Sequence, residues 1–225
     1  MREPTQLLYK SEIPINDHIS VRIPTLREII SKQDDYYTLV NILTAMPIDM
    51  MVELDDLGID FTEINDYDLF LMFFKGLESL DMSLVLTGVD VSKFELAYNE
   101  DINMYVMIDR ENDIVIDRLI HRDIAACIRK INQMKKDKRK PGNEEAKKYL
   151  IERARTKANR RKNKPQDSQL EQLIIAMVNT EQFKYDLDSV LDLTIFQFNE
   201  CVRQIVKKTD YDNRMIGVFA GTVDA

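Results

Sequence analysis

From Phe94 to Ile116 the apolar residues of this chain recur at every second position, whereas on either side they recur at helical spacing. Phe94, Leu96 and Tyr98 alternate with polar or small residues, as do Ile102, Met104, Val106 and Ile108, then Ile114 and Ile116. A period of two puts alternate side chains on one face of a strand. Asn99-Glu100-Asp101 and the stretch from Arg110 to Asp113 supply the turns, so the segment reads as a three-stranded antiparallel meander. A helical frame interrupted in this way predicts an α+β fold, predominantly helical with a small antiparallel sheet. The sheet content is an N-terminal hairpin and the meander. Six glycines and six prolines in 225 residues also favour long helices, and a hydrophobic content of 44% suffices for a real core.

The N-terminus looks extended through Leu7-Leu8-Tyr9. Ile13 to Ile15 and Ile19 to Ile23 then form the hairpin, which Pro24 ends. Thr25 caps a short helix to Ile30. Tyr36, Leu39, Val40 and Leu43 share one face of a helix over 35–46, and Pro47 is placed to open the next, which ends at Gly58. Asn65 or Asp66 caps a very apolar helix through Phe70, Phe73 and Phe74, whose composition implies burial on several sides. Asp81 starts a further short turn.

Asp117 caps a helix to about Lys136, with Leu119, Ile120, Ile124, Cys127, Ile128 and Ile131 inward. Asn143, followed by Glu144 and Glu145, opens a helix to about Arg161, because carboxylates suit the positive end of the helix dipole. Its apolar stripe is thin: Ala146, Leu150, Ile151, Ala154 and Ala158. Asp167 or Ser168 caps a helix with Leu170, Leu173, Ile174, Met177 and Val178. A turn at 186–191 precedes a helix with Phe198, Cys201, Val202, Ile205 and Val206 inward, and a last segment spans about Asp212 to Phe219. The expected organisation is therefore 1–136, a helical domain with hairpin and meander; 137–164, a basic loop and helix; and 165–225, C-terminal helices packed on the first part.

Charge divides the chain more sharply than hydrophobicity. The stretch from Arg129 to Lys164 holds sixteen of the 31 basic residues and four acids, while the remainder holds fifteen basic and 35 acidic residues. Asymmetry of this size concerns partners or self-contact more than fold. The candidate contact residues are Lys135, Lys136, Lys138, Arg139, Lys140, Lys147, Lys148, Arg153, Arg155, Lys157, Arg160 and Arg161. One reading docks them on an anionic partner, either nucleic acid or an acidic protein face. The other, favoured here, is a solvated helix and loop, the helix either projecting from the body or lying against an acidic face of this or another copy of the chain. The basic window contains one aromatic, Tyr149, which argues against single-strand stacking, and the acidic remainder argues against nucleic-acid binding by the body.

No chemistry announces itself. There is no glycine-rich phosphate loop, no nucleophile elbow and no metal-ligand spacing. His18 and His121 lie in different elements and read as surface or capping histidines. Asp186, Asp188 and Asp192 lack the central glycine of a calcium loop and read as caps. Asp34-Asp35 and Asp55-Asp56 read as solvated caps and helix faces. Met46, Met50, Met51 and Met72 read as core filler. Cys127 and Cys201 cannot build a disulfide framework and read as buried thiols. No enzyme, cofactor or metal is expected. The N-terminus lacks the apolar run of a secretory signal, and no segment approaches the roughly twenty apolar residues of a membrane span, so a cytosolic protein is expected.

Several stretches look familiar together: Ile23-Pro24-Thr25-Leu26-Arg27-Glu28-Ile29, Leu43-Thr44-Ala45-Met46-Pro47-Ile48-Asp49-Met50, Leu57-Gly58-Ile59-Asp60-Phe61, Lys140-Pro141-Gly142-Asn143, Ala176-Met177-Val178-Asn179 and the closing Phe219-Ala220-Gly221-Thr222-Val223-Asp224. In these the chain resembles small proteins of Firmicutes phages and prophages encoded among tail genes, either tail-assembly chaperones or other minor tail proteins. The resemblance implies a non-enzymatic protein in the cytoplasm of the bacterial host. Its partners would be other phage tail proteins, the tape-measure and tail-tube proteins, with a homo-oligomer allowed. A structural tail component and a nucleic-acid adaptor using 129–164 are the alternatives.

Overall fold

The computed structural model describes residues 4–137, 139–162 and 169–220. It is a predominantly helical α+β structure with two three-stranded antiparallel sheets. The chain opens with a 3-10 turn, Pro4–Leu8, where an extended segment is expected. The expected hairpin follows as β1 (Glu12–Pro14) and β2 (Ser20–Arg22). Its turn is closed by the Asn16 side chain, whose Oδ1 accepts from the amides of His18 and Ile19 at 3.0 and 2.7 Å.

Helix α1 (Leu26–Ser31) starts at a capping box in which Thr25 and Glu28 satisfy each other's backbone amides. Helix α2 (Gln33–Thr44) buries Tyr36, Leu39, Val40 and Leu43, as its periodicity predicts. Pro47 opens a hydrogen-bonded turn, and α3 (Met51–Asp56) begins only after it. Gly58, at φ +72°, turns the chain out of α3 in a conformation that costs glycine little.

Helix α4 (Asp66–Phe73) is capped by Asn65. Its burial is unequal: Leu69, Phe70 and the following Phe74 are buried, Phe73 is half-buried and Met72 is exposed. Two further 3-10 turns lead to β3 (Leu86–Thr87), which pairs with β2 and turns the hairpin into a three-stranded sheet. The two-residue strand is too short for periodicity to reveal. Gly88 ends it at φ +81°, and a Cβ there would lie 1.9 Å from the His18 carbonyl oxygen.

The meander is β4 (Glu95–Asn99), β5 (Met104–Asp109) and β6 (Ile114–Ile116), paired in that order. Asp117 accepts from the amides of Leu119 and Ile120 and starts α5 (Arg118–Ile131), which ends short of Lys136. Ile124, Ile128 and Ile131 face the core, but Leu119 is exposed on the first turn and His121 takes an inward position. Tyr36 and Tyr67 anchor the core's polar edges by donating to Asn132 Oδ1 at 2.8 Å and to the Ile116 carbonyl at 2.7 Å.

After α6 (Glu144–Lys162), helix α7 (Gln169–Val178) buries Leu170, Ile174 and Met177; Leu173 stays partly exposed. The capping expected of Asp167 or Ser168 lies outside the described residues. Helix α8 (Ile195–Phe219) is one element of 25 residues, where two segments are expected. Its start is joined to the N-terminal part: Ile195 N donates to the Pro24 carbonyl and Leu26 N to the Leu193 carbonyl, both at 2.9 Å. Its buried residues are Ile195, Phe196 and Phe198. Val206, expected inward, is exposed, as are Tyr211, Ile216 and Phe219.

Candidate functional site

The basic helix α6 does not stand away from the body. Asn143 caps it, Oδ1 accepting from the Ala146 amide at 2.8 Å. Its thin stripe of Leu150, Ile151 and Ala154 packs on a second hydrophobic cluster, separate from the main core. That cluster contains Met46, Ile48, Met51, Leu54, Phe61 and Leu69, with Phe73 against its flank. Buried Met46 and Met51 are core filler as expected, and exposed Met72 is not.

Around this contact basic groups meet acids across the chain. Lys147 Nζ lies 2.7 Å from Asp60 and 2.8 Å from Glu144. Arg155 places one guanidinium nitrogen 2.7 Å from Asp56 and the other 2.8 Å from Asp55. Lys136 Nζ lies 2.6 Å from Asp66, and Arg139 is held by Asp137 in its own loop at 2.5 Å. Asp55-Asp56, read from sequence as a solvated pair, is therefore the seat of Arg155. Sequence reasoning gave Asp66 only as a candidate helix cap and assigned Asp60 no role. The signal for them was the opposite sign of the two charge blocks, which names no partner residue by residue.

The electrostatics follow the contacts. The Lys147 ammonium, then the Thr62 amide and hydroxyl, hold the Asp60 carboxyl down at about 2, and Asp60 with Glu144 raises Lys147 in turn. Arg129, half-buried beneath the loop, donates to the Thr44 carbonyl at 2.6 Å; burial lowers its pKa while Asp66 and Asp49 oppose that shift.

Of the other candidate contact residues, Lys135, Lys140, Lys148, Arg153, Lys157 and Arg160 are exposed. Lys138 and the side chain of Arg161 lie outside the described residues. The basic segment is thus split between cations paired with the chain's own acids and cations that face solvent. Where the loop crosses the body it roofs a groove of about 610 Å³, with Met46, Ile48 and Phe61 at its floor and Glu63, Lys136 and Lys140 among its rim.

Two surfaces show apolar side chains without cover. One is the second half of α8, with Val206, Tyr211, Ile216 and Phe219. The other is the outer part of the meander, where Leu96, Tyr98, Ile102 and Tyr105 are each about half exposed. Alternation places Leu96 and Tyr98 on one face with Phe94, and of the three only Phe94, at the strand's base, is buried.

His121 reverses its expectation. It is 2% exposed, its ring stacked on Phe70 with centroids 4.3 Å apart. It is hydrogen-bonded to the Leu43 backbone, and its Nε2 has no hydrogen-bond partner. Burial lowers its pKa to about 4. Among the described residues no group of three His, Cys, Asp or Glu side chains is arranged to hold a metal ion. No helix among them is long and apolar enough to cross a membrane.

Residues 161–225 match the family model described as YomV second domain, a phage-derived family. The stretch covers α7, the turn after it and the whole of α8. This similarity supports a phage-related protein. No curated protein and no solved structure matches the chain.

Proposed function

We propose that the chain is a phage tail-assembly factor, a chaperone that binds the tape-measure protein through protein contacts alone. The observation that carries this reading is the second half of α8. It keeps Val206, Tyr211, Ile216 and Phe219 in solvent, with Ile216 and Phe219 one turn apart, within the stretch that resembles a phage-derived domain. A helix with exposed apolar positions is suited to pairing with helical segments of a client. A long aggregation-prone protein rich in such segments is the client that a chaperone of this kind would serve. The basic segment supports protein contacts over nucleic acid, because Lys136, Lys147 and Arg155 are already paired with Asp66, Asp60, Asp55 and Asp56, which leaves fewer cations to meet phosphate. Phosphate binding needs several free cations on one surface.

Co-expression with the tape-measure protein of the same phage or prophage tests the reading. The wild-type chain is expected to keep the client soluble and co-purify with it. Ile216→Asp with Phe219→Asp is expected to abolish both while leaving the fold intact. Soluble client recovered equally with the double variant would refute the role of α8. Mass spectrometry of purified tails then separates a chaperone, absent from particles, from a structural component, present at fixed stoichiometry.

A further inference from the structure

Strand β4 is an edge strand whose one neighbour in its sheet is β5. Edge strands carry unpaired backbone groups, and chains commonly blunt them with proline, lysine, a bulge or very short length. The other edges here follow that rule: β1 has three residues and ends in Pro14, β3 has two, and β6 has three. β4 has five, pairs with β5 without a bulge, and its sequence Glu95-Leu96-Ala97-Tyr98-Asn99 contains no proline, glycine or lysine. Leu96 is 53% and Tyr98 50% exposed.

We propose that β4 pairs antiparallel with β4 of a second copy of this chain, joining two three-stranded sheets into one of six strands. The occupant is read from β4 itself. With a two-fold axis at Ala97, that residue faces its own equivalent, Leu96 faces Tyr98 of the second copy, and Glu95 faces Asn99. Ala97, the smallest side chain of the strand, sits on the axis. Within one copy Leu96 already pairs with Met107 and Tyr98 with Tyr105, whose rings meet edge to face at 5.2 Å. Self-pairing extends these into two antiparallel rows of four, each running Met107, Leu96, then Tyr98 and Tyr105 of the second copy. Aromatic–aliphatic cross-strand neighbours of this kind stabilise sheets.

Charge agrees with the same register. The base of the strand carries Lys93 and Arg110, and Arg110 reaches Glu95; the tip carries Glu100 and Asp101. Lys93 and Arg110 are paired with Glu111 and Glu95 at that end; the register sets Glu95 opposite Asn99 and, continued past the strand ends, Lys93 of one copy opposite Asp101 of the other, so no like charges face each other. The contact is isologous, so it closes at two copies. It does not depend on the client-binding role given to α8.

Sedimentation equilibrium of the full chain from about 1 to about 100 µM is expected to show a monomer–dimer equilibrium. Leu96→Lys alters a side chain that is exposed in the monomer, so the thermal midpoint is expected to stay unchanged while Kd weakens by about tenfold or more. Ala97→Cys is expected to form an interchain disulfide on mild oxidation, because directly opposed residues of an antiparallel pair lie within disulfide reach. Glu95→Cys, which would face Asn99, is not. The wild-type chain, with Cys127 and Cys201, sets the background. A wild-type chain that stays monomeric throughout, a dimer unmoved by Leu96→Lys, or equal cross-linking at 95 and 97 would each overturn the proposal.

Discussion

Helix α6 and the second half of α8 are both long and largely washed by solvent, yet one is seated on the body from Lys147 to Arg155 and the other is not. α6 offers the body little: Leu150, Ile151 and Ala154, in a helix otherwise crowded with charge. The end of α8 offers Val206, Tyr211, Ile216 and Phe219, and all four stay exposed. The apolar content of a helix therefore does not decide whether it docks. What decides is whether the body presents a matching surface. α3 and the 57–66 loop present one to α6, an apolar cluster edged by Asp55, Asp56 and Asp60. The small apolar contact removes water, and the ion pairs at its edge fix its register.

The contrast breaks most directly at the seat. Leu54 is 1% exposed within the cluster beneath α6. Leu54→Ala should cost about 2–5 kcal/mol, as buried leucine truncations do. It should also lower hydrogen-exchange protection in α6 more than in α8. Phe219→Ala, on the free end, should change stability by less than about 0.5 kcal/mol. Unchanged α6 protection in Leu54→Ala would mean that the helix is held by its charges alone.

A second test probes the main core, to which α5 and the first turn of α8 belong and the free end does not. His121 is neutral in the folded state, with a pKa of about 4 against the ordinary 6.5. Arg129 and Lys136 add to that lowering, and Asp66 opposes it. Between those values the unfolded chain binds a proton that the folded chain does not, so stability is intact above about pH 6.5 and falls as the pH drops toward 4. The loss over this window is about 3 kcal/mol for this group. His121→Phe keeps the stacking on Phe70, removes the unpartnered Nε2, and should flatten that part of the pH–stability curve. A wild-type curve already flat between pH 6.5 and 4.5 would show that the buried imidazole is not the titrating group.

How much of this was legible in sequence follows the range over which each signal acts. Caps at Thr25, Asn65, Asp117 and Asn143 act within one turn, and helix starts are placed well from them. The meander's turns and strand order were legible for the same reason. Its burial was not, because Leu96 and Tyr98 alternate correctly on a part of the sheet that extends past the core. The pairing of β3 with β2 spans more than sixty residues and leaves no periodic trace. The sequence reading split α8 into two segments, yet a helix far from the core follows local propensity, and α8 runs unbroken from Ile195 to Phe219. His121 sits where apolar spacing calls for a core residue; its polarity argued for the surface, and tertiary position prevailed. A solvated or self-contacting basic segment was the favoured reading, with a projecting helix as one form of it; that the helix is seated, and on which acids, depends on how α3 and the following loop fold.

The finest test separates charge from packing at the seat of α6. Lys147 is the most enclosed of the paired cations, its side chain 15% exposed beside Asp60. Lys147→Glu sets like charges against each other and should loosen the first turns of α6, an effect smaller than that of Leu54→Ala because Leu150, Ile151 and Ala154 remain in place. Lys147→Glu with Asp60→Lys restores the pair in reversed order and should recover most of the loss, the recovery shrinking as salt is raised. Asp60 gives a pH signature as well. Its carboxyl is held at about 2, so the stabilisation from its pairing is present above the ordinary carboxylate range and is lost as pH falls from about 4 toward 2. Exchange protection of the α6 amides, measured across both series, decides the matter. If the reversed pair recovers nothing at low salt, the ion pairs only decorate a contact that the apolar stripe makes alone, and α6 differs from the free end of α8 solely in having Leu54 and its neighbours beneath it.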